Sequence, residues 1–206
     1  MERKELKKIL IKRLNAFCKE RGFPHRHGLI WYRIGDGFLL TISLNTKSYG
    51  YDLHYNVNPL FDYIDCFHLD YGNEIEIPKI YLSLDYDEET TKEVIEAHLH
   101  ELDRIAIPIF NSITDAATIY DNTGFMKSRY IDRLKGYAAI YGRKSPEDAI
   151  HSLETWLEKF DIRDYNDEFH NEPKVLIKLL KEDPEKARDV LVKNVERSVE
   201  ALKLKI

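Results

Sequence analysis

The stretch Tyr51-Asp-Leu-His-Tyr-Asn-Val-Asn58 decides the fold class. Tyr51, Leu53, Tyr55 and Val57 alternate with Asp52, His54, Asn56 and Asn58. Side chains of a strand point to opposite faces in turn, so this period of two predicts a strand with one face buried and one face wet. Upstream, Leu29–Ile34 and Phe38–Leu44 flank Gly35-Asp-Gly37, a short glycine-bearing connection that reads as a hairpin. Lys47-Ser-Tyr-Gly50 reads as the next turn. Downstream, Cys66–Tyr71 is expected as a fourth strand with Phe67, Leu69 and Tyr71 inward, and Ile80–Leu84 as a fifth at a sheet edge after Pro78.

Helical periods bracket this sheet. In residues 3–21, Leu6, Ile9, Leu10, Leu14 and Phe17 form one apolar stripe, and Gly22 with Pro24 marks its end. From Thr90 the period changes again. Thr90 and Glu93 are spaced as a capping box, and Ile95, Leu99, Leu102, Ala106, Ile109 and Ile113 share a stripe that Pro108 should kink or end. Met126–Tyr141 is read as a helix. Ser145-Pro146-Glu-Asp148 is a helix start, residues 161–172 read as a loop, and Lys174–Lys181 and the segment from Asp183-Pro184 read as the last two helices. The expected fold is α+β. An N-terminal helix packs on an antiparallel sheet of about four to five strands, and a helical C-terminal half follows. A boundary is expected near Asp121-Asn-Thr-Gly124, giving an α+β domain over 1–120 and a helical subdomain over 121–206.

The chain of 206 residues can bury a core without disulfides, and its 12% aromatic content is too high for a disordered polar chain. Charge recurs through the first thirteen residues, so no signal peptide is expected. Cys18 and Cys66 are far apart and suggest reduced thiols, which points to a cytoplasmic protein without a membrane span. The net charge of −5 is a remainder: residues 1–51 carry +7, residues 52–103 carry −12, and the rest is neutral. An acidic middle would repel phosphates. Nucleic acid is therefore an unlikely partner, with the basic N-terminal helix as the place it would bind.

Several elements resemble a bacterial family known as domain-of-unknown-function family 4304. They are the basic helix Lys4–Phe17, Gly22-Phe23, Gly28 with Trp31-Tyr-Arg33, a strand ending at Leu44, the Lys47–Gly50 turn and Tyr55–Asn58. The likeness covers the first third of the chain. It implies a helix-plus-antiparallel-sheet fold in a bacterial protein and no activity.

Four groups of residues carry the candidate chemistry. On the polar sheet face, Thr41 and Ser43, then Asp52, His54 and Asn56, then His68 and Asp70 would come together if the strands are neighbours. Carboxylates with His54 and His68 are candidate metal ligands or acid–base groups, against the plainer reading of a polar surface. Glu96, His98, His100, Glu101 and Asp103 lie on one helix without the His-x-x-x-His spacing of a zinc site. Pro24-His-Arg-His27 reads as a basic loop. Tyr130, Tyr137 and Tyr141, with Trp156 and Phe160, form aromatic stripes that suit either a core or a partner surface. Phosphate-binding, dinucleotide and nucleophile-elbow motifs are missing from the sequence. The expectation is a binding or accessory module of the immunity type with a protein partner and no cofactor. The alternatives are a metal-dependent hydrolase or other enzyme on the polar sheet face, and nucleic-acid binding through the basic helix.

Overall fold

The computed structural model describes residues 2–67, 72–119, 131–159 and 167–205. Packing divides the chain into two compact units. The first comprises Met1–Ile34, Leu39–Asn58 and Leu69–Ser112, and the second Gly35–Phe38, Pro59–His68 and Ile113–Ile206.

The first unit opens with α1 (Arg3–Glu20), capped at Glu2, whose buried stripe is Leu6, Leu10, Leu14, Phe17 and Cys18. Gly22 ends it at φ +79°, a left-handed conformation that costs glycine little, and the Phe23 amide donates back to the Cys18 carbonyl. The strands are β1 (His25–His27), β2 (Ile30–Gly35), β3 (Phe38–Thr46), β4 (Gly50–Pro59), β5 (Gly72–Glu74) and β6 (Leu82–Ser83). They form one antiparallel sheet in the order β1-β2-β3-β4-β5, with β6 also paired to β4. The sheet is followed by α2 (Glu88–Ser112).

The tyrosine face of β4 meets the helices. Tyr55 packs edge-on against Phe110 of α2, and Arg3 of α1 lies over the Tyr51 ring. Arg3 also donates to the Lys47 and Ser48 carbonyls, which pins the β3–β4 turn to the start of α1. On β2, Trp31 donates its indole N–H to Asn15 of α1 at 2.8 Å.

The second unit contains a short 3-10 turn (Ala116–Thr118), α3 (Ile131–Tyr141), α4 (Pro146–Lys159), α5 (Asp167–Glu182) and α6 (Pro184–Ala201). Ser145 accepts from the Asp148 amide, Asp183 accepts from the Lys186 amide, and a proline follows each cap. Gly136 lets α3 sit tightly on α4, since a Cβ there would press into Leu153 at 2.6 Å.

Several expectations are corrected. Pro24–His27 is a loop only at its first residue, because His25–His27 pairs antiparallel with Ile30–Tyr32 as an edge strand. α2 runs through Pro108 to Ser112: the proline sits in the last turn, where it costs one backbone bond, and Phe110 beyond it is fully buried. Its N-terminal cap is Asp87, which accepts from the Thr90 amide at 2.8 Å, and not Thr90. Residues 167–172 belong to α5 instead of a loop; the helix again continues through a proline, Pro173. Cys66 and Phe67 lie outside any strand, and the strand of that region begins at Gly72. The rest of the expected Cys66–Tyr71 strand, with Met126, Tyr130 and Phe160, falls outside the described residues.

Candidate functional site

β4 places Asp52, His54, Asn56 and Asn58 on one face, and β3 adds Thr41, which accepts from the Asn58 side-chain amide at 3.5 Å. Period two correctly separates the faces, but the polar one is not wet. Thr41, Ser43, Asp52, Asn56 and Asn58 are all buried, and His54 alone on β4 is half-buried. Alternation reports the chemistry of two faces, and tertiary packing decides which of them water reaches.

The register of β5 brings a residue that the sequence reading missed. Glu74 stands opposite His54 in the antiparallel pair, and its carboxylate lies 3.8 Å from His54 Nε2. One ligand atom each of Asp52, His54 and Glu74 lies within 4.8 Å of the others. A three-residue strand is too short to show a period, so only the pairing reveals Glu74. His68 and Asp70, the other expected members of this face, fall outside the described residues.

Asp52 is held on both oxygens. Lys47 Nζ lies 3.0 Å from Oδ2, and the Tyr49 hydroxyl donates to Oδ1. That hydrogen bond, with some burial and the Asp52 charge, pushes the Tyr49 phenol up to about 12. Burial raises the Glu74 carboxyl above its usual range, and the neighbouring charges of Asp52 and Glu76 raise it further while Lys47 opposes them. Burial lowers the pKa of His54, so its imidazole is neutral near pH 7. Three buried polar groups are left over. Among the described residues, His54 Nε2, both amide atoms of Asn56 and the Ser43 hydroxyl have no hydrogen-bond partner.

Beside these residues lies a cleft of about 490 Å³. The segment from Glu74 to Leu82 lines it with Tyr51, Asp52, Leu53 and His98. Tyr81, more than half exposed, stands at its edge with Tyr49 against its ring at 5.8 Å. His98 comes from α2. Its Nδ1–H donates to the Val94 carbonyl at 2.8 Å, and burial lowers its pKa. Of the charged and histidine residues grouped on that helix in the sequence, His98 is buried and lines this cleft.

Three acids of that helix pair with arginines. Glu96 holds Arg13 of α1, Asp103 holds Arg21 at 2.5 Å, and Glu101 holds Arg104. His100 lines the α1–α2 groove beside the first two pairs. Two arginines of the basic helix are thereby engaged by the acidic middle of the chain.

The described members of the aromatic stripe in the second unit are core: Tyr137 and Trp156 are fully buried and Tyr141 is 8% exposed. Each has a polar anchor or neighbour that explains an aromatic with a polar edge inside. Tyr137 donates to Glu172, Tyr141 donates to Asp36, and Arg133 lies over the Trp156 ring. Arg133 also pairs with Asp62 at 2.6 Å, both buried.

Neither cysteine has the character of a nucleophile. Burial pushes the Cys18 thiol up to about 12, and burial with the Asp65 charge raises Cys66. No helix of the described residues is long and apolar enough to cross a membrane. Comparison of the chain with protein-family models, curated proteins and solved structures finds no match.

Proposed function

We propose that the protein is a non-enzymatic binding module whose acidic, tyrosine-edged cleft receives a cationic segment of a protein partner. The observation that carries this reading is the cluster of Asp52, Glu74 and Glu76 around the cleft, with Tyr51 and Tyr81 beside them. Burial first, and then repulsion by Asp52 and Glu76, hold Glu74 above its ordinary pKa. A bound ammonium or guanidinium relieves that repulsion, and the exposed Tyr81 ring supplies a flat face for the cation to stack on. Tyrosine is also favoured at the centre of binding surfaces. The reading places the protein in the bacterial cytoplasm as an accessory or immunity-type partner, in line with the resemblance of its first third to domain-of-unknown-function family 4304.

A fluorescent arginine-rich peptide and a glutamate-rich peptide of equal length test it by anisotropy. The basic peptide is expected to bind at least tenfold tighter, to weaken as salt rises, and to weaken at least fivefold with Glu74→Gln/Glu76→Gln. Equal binding of both peptides, or binding untouched by the double substitution, overturns the reading.

A further inference from the structure

We propose that Asp52, His54 and Glu74 form a binding site for one first-row divalent transition-metal ion. The inference shares two carboxylates with the cationic-partner reading but not its occupant, and His54 separates the two.

The backbone fixes the arrangement. His54 and Glu74 are directly opposed across an antiparallel pair, and Asp52 is the next residue on the same face of β4. The ligand atoms lie within 4.8 Å of one another, and His54 Nε2 and Glu74 Oε2 are already 3.8 Å apart. Metal–ligand bonds of about 2.0–2.2 Å place neighbouring ligand atoms roughly 3–3.5 Å apart. Closing the remaining distance takes up to roughly 1.5 Å, which small rotations of the three side chains, Glu74 foremost, supply.

The donor set matches the ion. Two carboxylates balance a double positive charge. One imidazole nitrogen favours a borderline metal such as zinc or nickel over magnesium, calcium or manganese. His54 Nε2 is screened from solvent and has no hydrogen-bond partner among the described residues. Asn56, the next residue along the face, is fully buried, and neither of its amide atoms finds a partner among them. The site thus carries more buried polarity than the described residues satisfy, and a hydrated cation supplies both a ligand-seeking charge and water donors and acceptors. Three protein ligands leave coordination positions open, and Asp52 and Glu74 also line the cleft.

Lys47 is the resident competitor. Its ammonium lies 3.0 Å from Asp52 Oδ2 and already supplies a positive charge to that carboxylate. The lysine side chain is 45% exposed, so it can swing into water when the metal enters. A mere cross-strand ion pair and a metal site therefore differ in what removing Lys47 does.

Calorimetric titration of zinc chloride or nickel chloride into the chelator-treated, tag-free full chain is the test. One equivalent is expected to bind saturably. His54→Ala and Glu74→Gln are each expected to weaken binding at least tenfold, and Lys47→Met to tighten it about three- to tenfold. Urea melts check that each variant folds; if His54→Ala does not, Glu74→Gln carries the ligand test. His54→Ala is also expected to leave arginine-peptide binding intact. The absence of saturable one-equivalent binding overturns the proposal. So does binding unchanged in Glu74→Gln, or binding that is unchanged or weaker in Lys47→Met.

Discussion

Replacing Arg133 by methionine isolates the energetics of the second unit's buried ion pair. Arg133 is 3% exposed and Asp62 is 7% exposed, and they meet at 2.6 Å. Burial is the largest influence on Asp62 and raises its pKa to about 6, while Arg133 opposes the rise and Glu172 adds to it. Arg133→Met keeps much of the side-chain volume between Tyr137 and Trp156 but leaves the carboxylate without its cation. Breaking a buried pair from one side costs about 3–5 kcal/mol. The cost should depend on pH with a definite sign. A carboxyl whose folded pKa lies above its unfolded value holds its proton more tightly when folded. Its contribution is fully present below the unfolded pKa and is lost as pH rises through the folded one. Without Arg133 the folded pKa rises further, so the penalty is expected to be large at pH 7.5 and to shrink at pH 5, where Asp62 takes up a proton. Urea melts followed by Trp156 fluorescence, in a Trp31→Phe background, measure it. Asp62→Leu/Arg133→Met should recover most of the loss, since no buried charge remains. A single-variant cost below about 1 kcal/mol, or a penalty that is the same or larger at pH 5, refutes the reasoning.

Four further outcomes follow from the structure. His98→Gln should flatten the loss of stability between pH 7.5 and 5.5, because a histidine whose folded pKa is depressed by burial contributes stability above its unfolded pKa that is lost as pH falls; urea midpoints at the two pH values check this. Gly50→Ala should destabilise by about 2 kcal/mol or more in a chemical melt, since its Cβ would overlap the Leu82 carbonyl oxygen of β6. Trp156→Ala should cost about 3–5 kcal/mol and the 41% exposed Tyr63→Ala under about 1 kcal/mol, a comparison that reads core against surface directly. Ser43→Ala and Asn56→Leu should be neutral or stabilising by up to about 2 kcal/mol, because both remove buried polar atoms without partners; a loss above about 1 kcal/mol in Ser43→Ala would mean that the hydroxyl is bonded in the folded chain.

Much of the fold was legible because its signals are local. Leu6, Leu10 and Leu14 mark α1 by spacing alone, and Ser145-Pro146 and Asp183-Pro184 mark helix starts because cap and proline each satisfy a known need of the first turn. The alternation of β4 identified its strand and its two faces. The failures were of two kinds. Some came from short elements: His25–His27 and Gly72–Glu74 have three residues each, and pairing with a longer neighbour defines them where periodicity cannot. Others came from reading local signals as stops: Pro108 as a kink or end of α2, and the polar run through residue 172 as a loop, although packing by residues such as Phe110 and Leu176 carries both helices through. At the site, Asp52, His54 and Asn56 were legible from period two. Glu74 and Lys47 were not, because a register and a turn geometry bring them in. Tyr137 and Trp156 show the limit of composition: the same aromatic stripe suits a core and an interface, and only burial separates them.

The polar face of β4 poses a conflict between folding and function. A buried sheet face is most stable when its side chains are apolar or fully paired. Asp52 with Lys47 and Tyr49, and Asn58 with Thr41, meet that condition. Among the described residues His54 Nε2, Asn56 and Ser43 do not, and they adjoin the groups that do. Stability alone therefore gives no reason for an imidazole and an amide at these positions when valine or leucine would pack there. The tyrosine face of the same strand shows the contrast, since Tyr51, Leu53, Tyr55 and Val57 are all buried against an apolar core. Polar groups that weaken the fold persist where a bound ligand uses them, and the unpaired atoms stand next to the carboxylates that line the cleft. If Ser43→Ala and Asn56→Leu stabilise the chain while one of them weakens cation or metal binding, the cost to folding and the gain in binding are located in the same side chains. If they stabilise it and leave every binding measurement unchanged, the excess polarity has no part in binding and the site reduces to its three ligand residues.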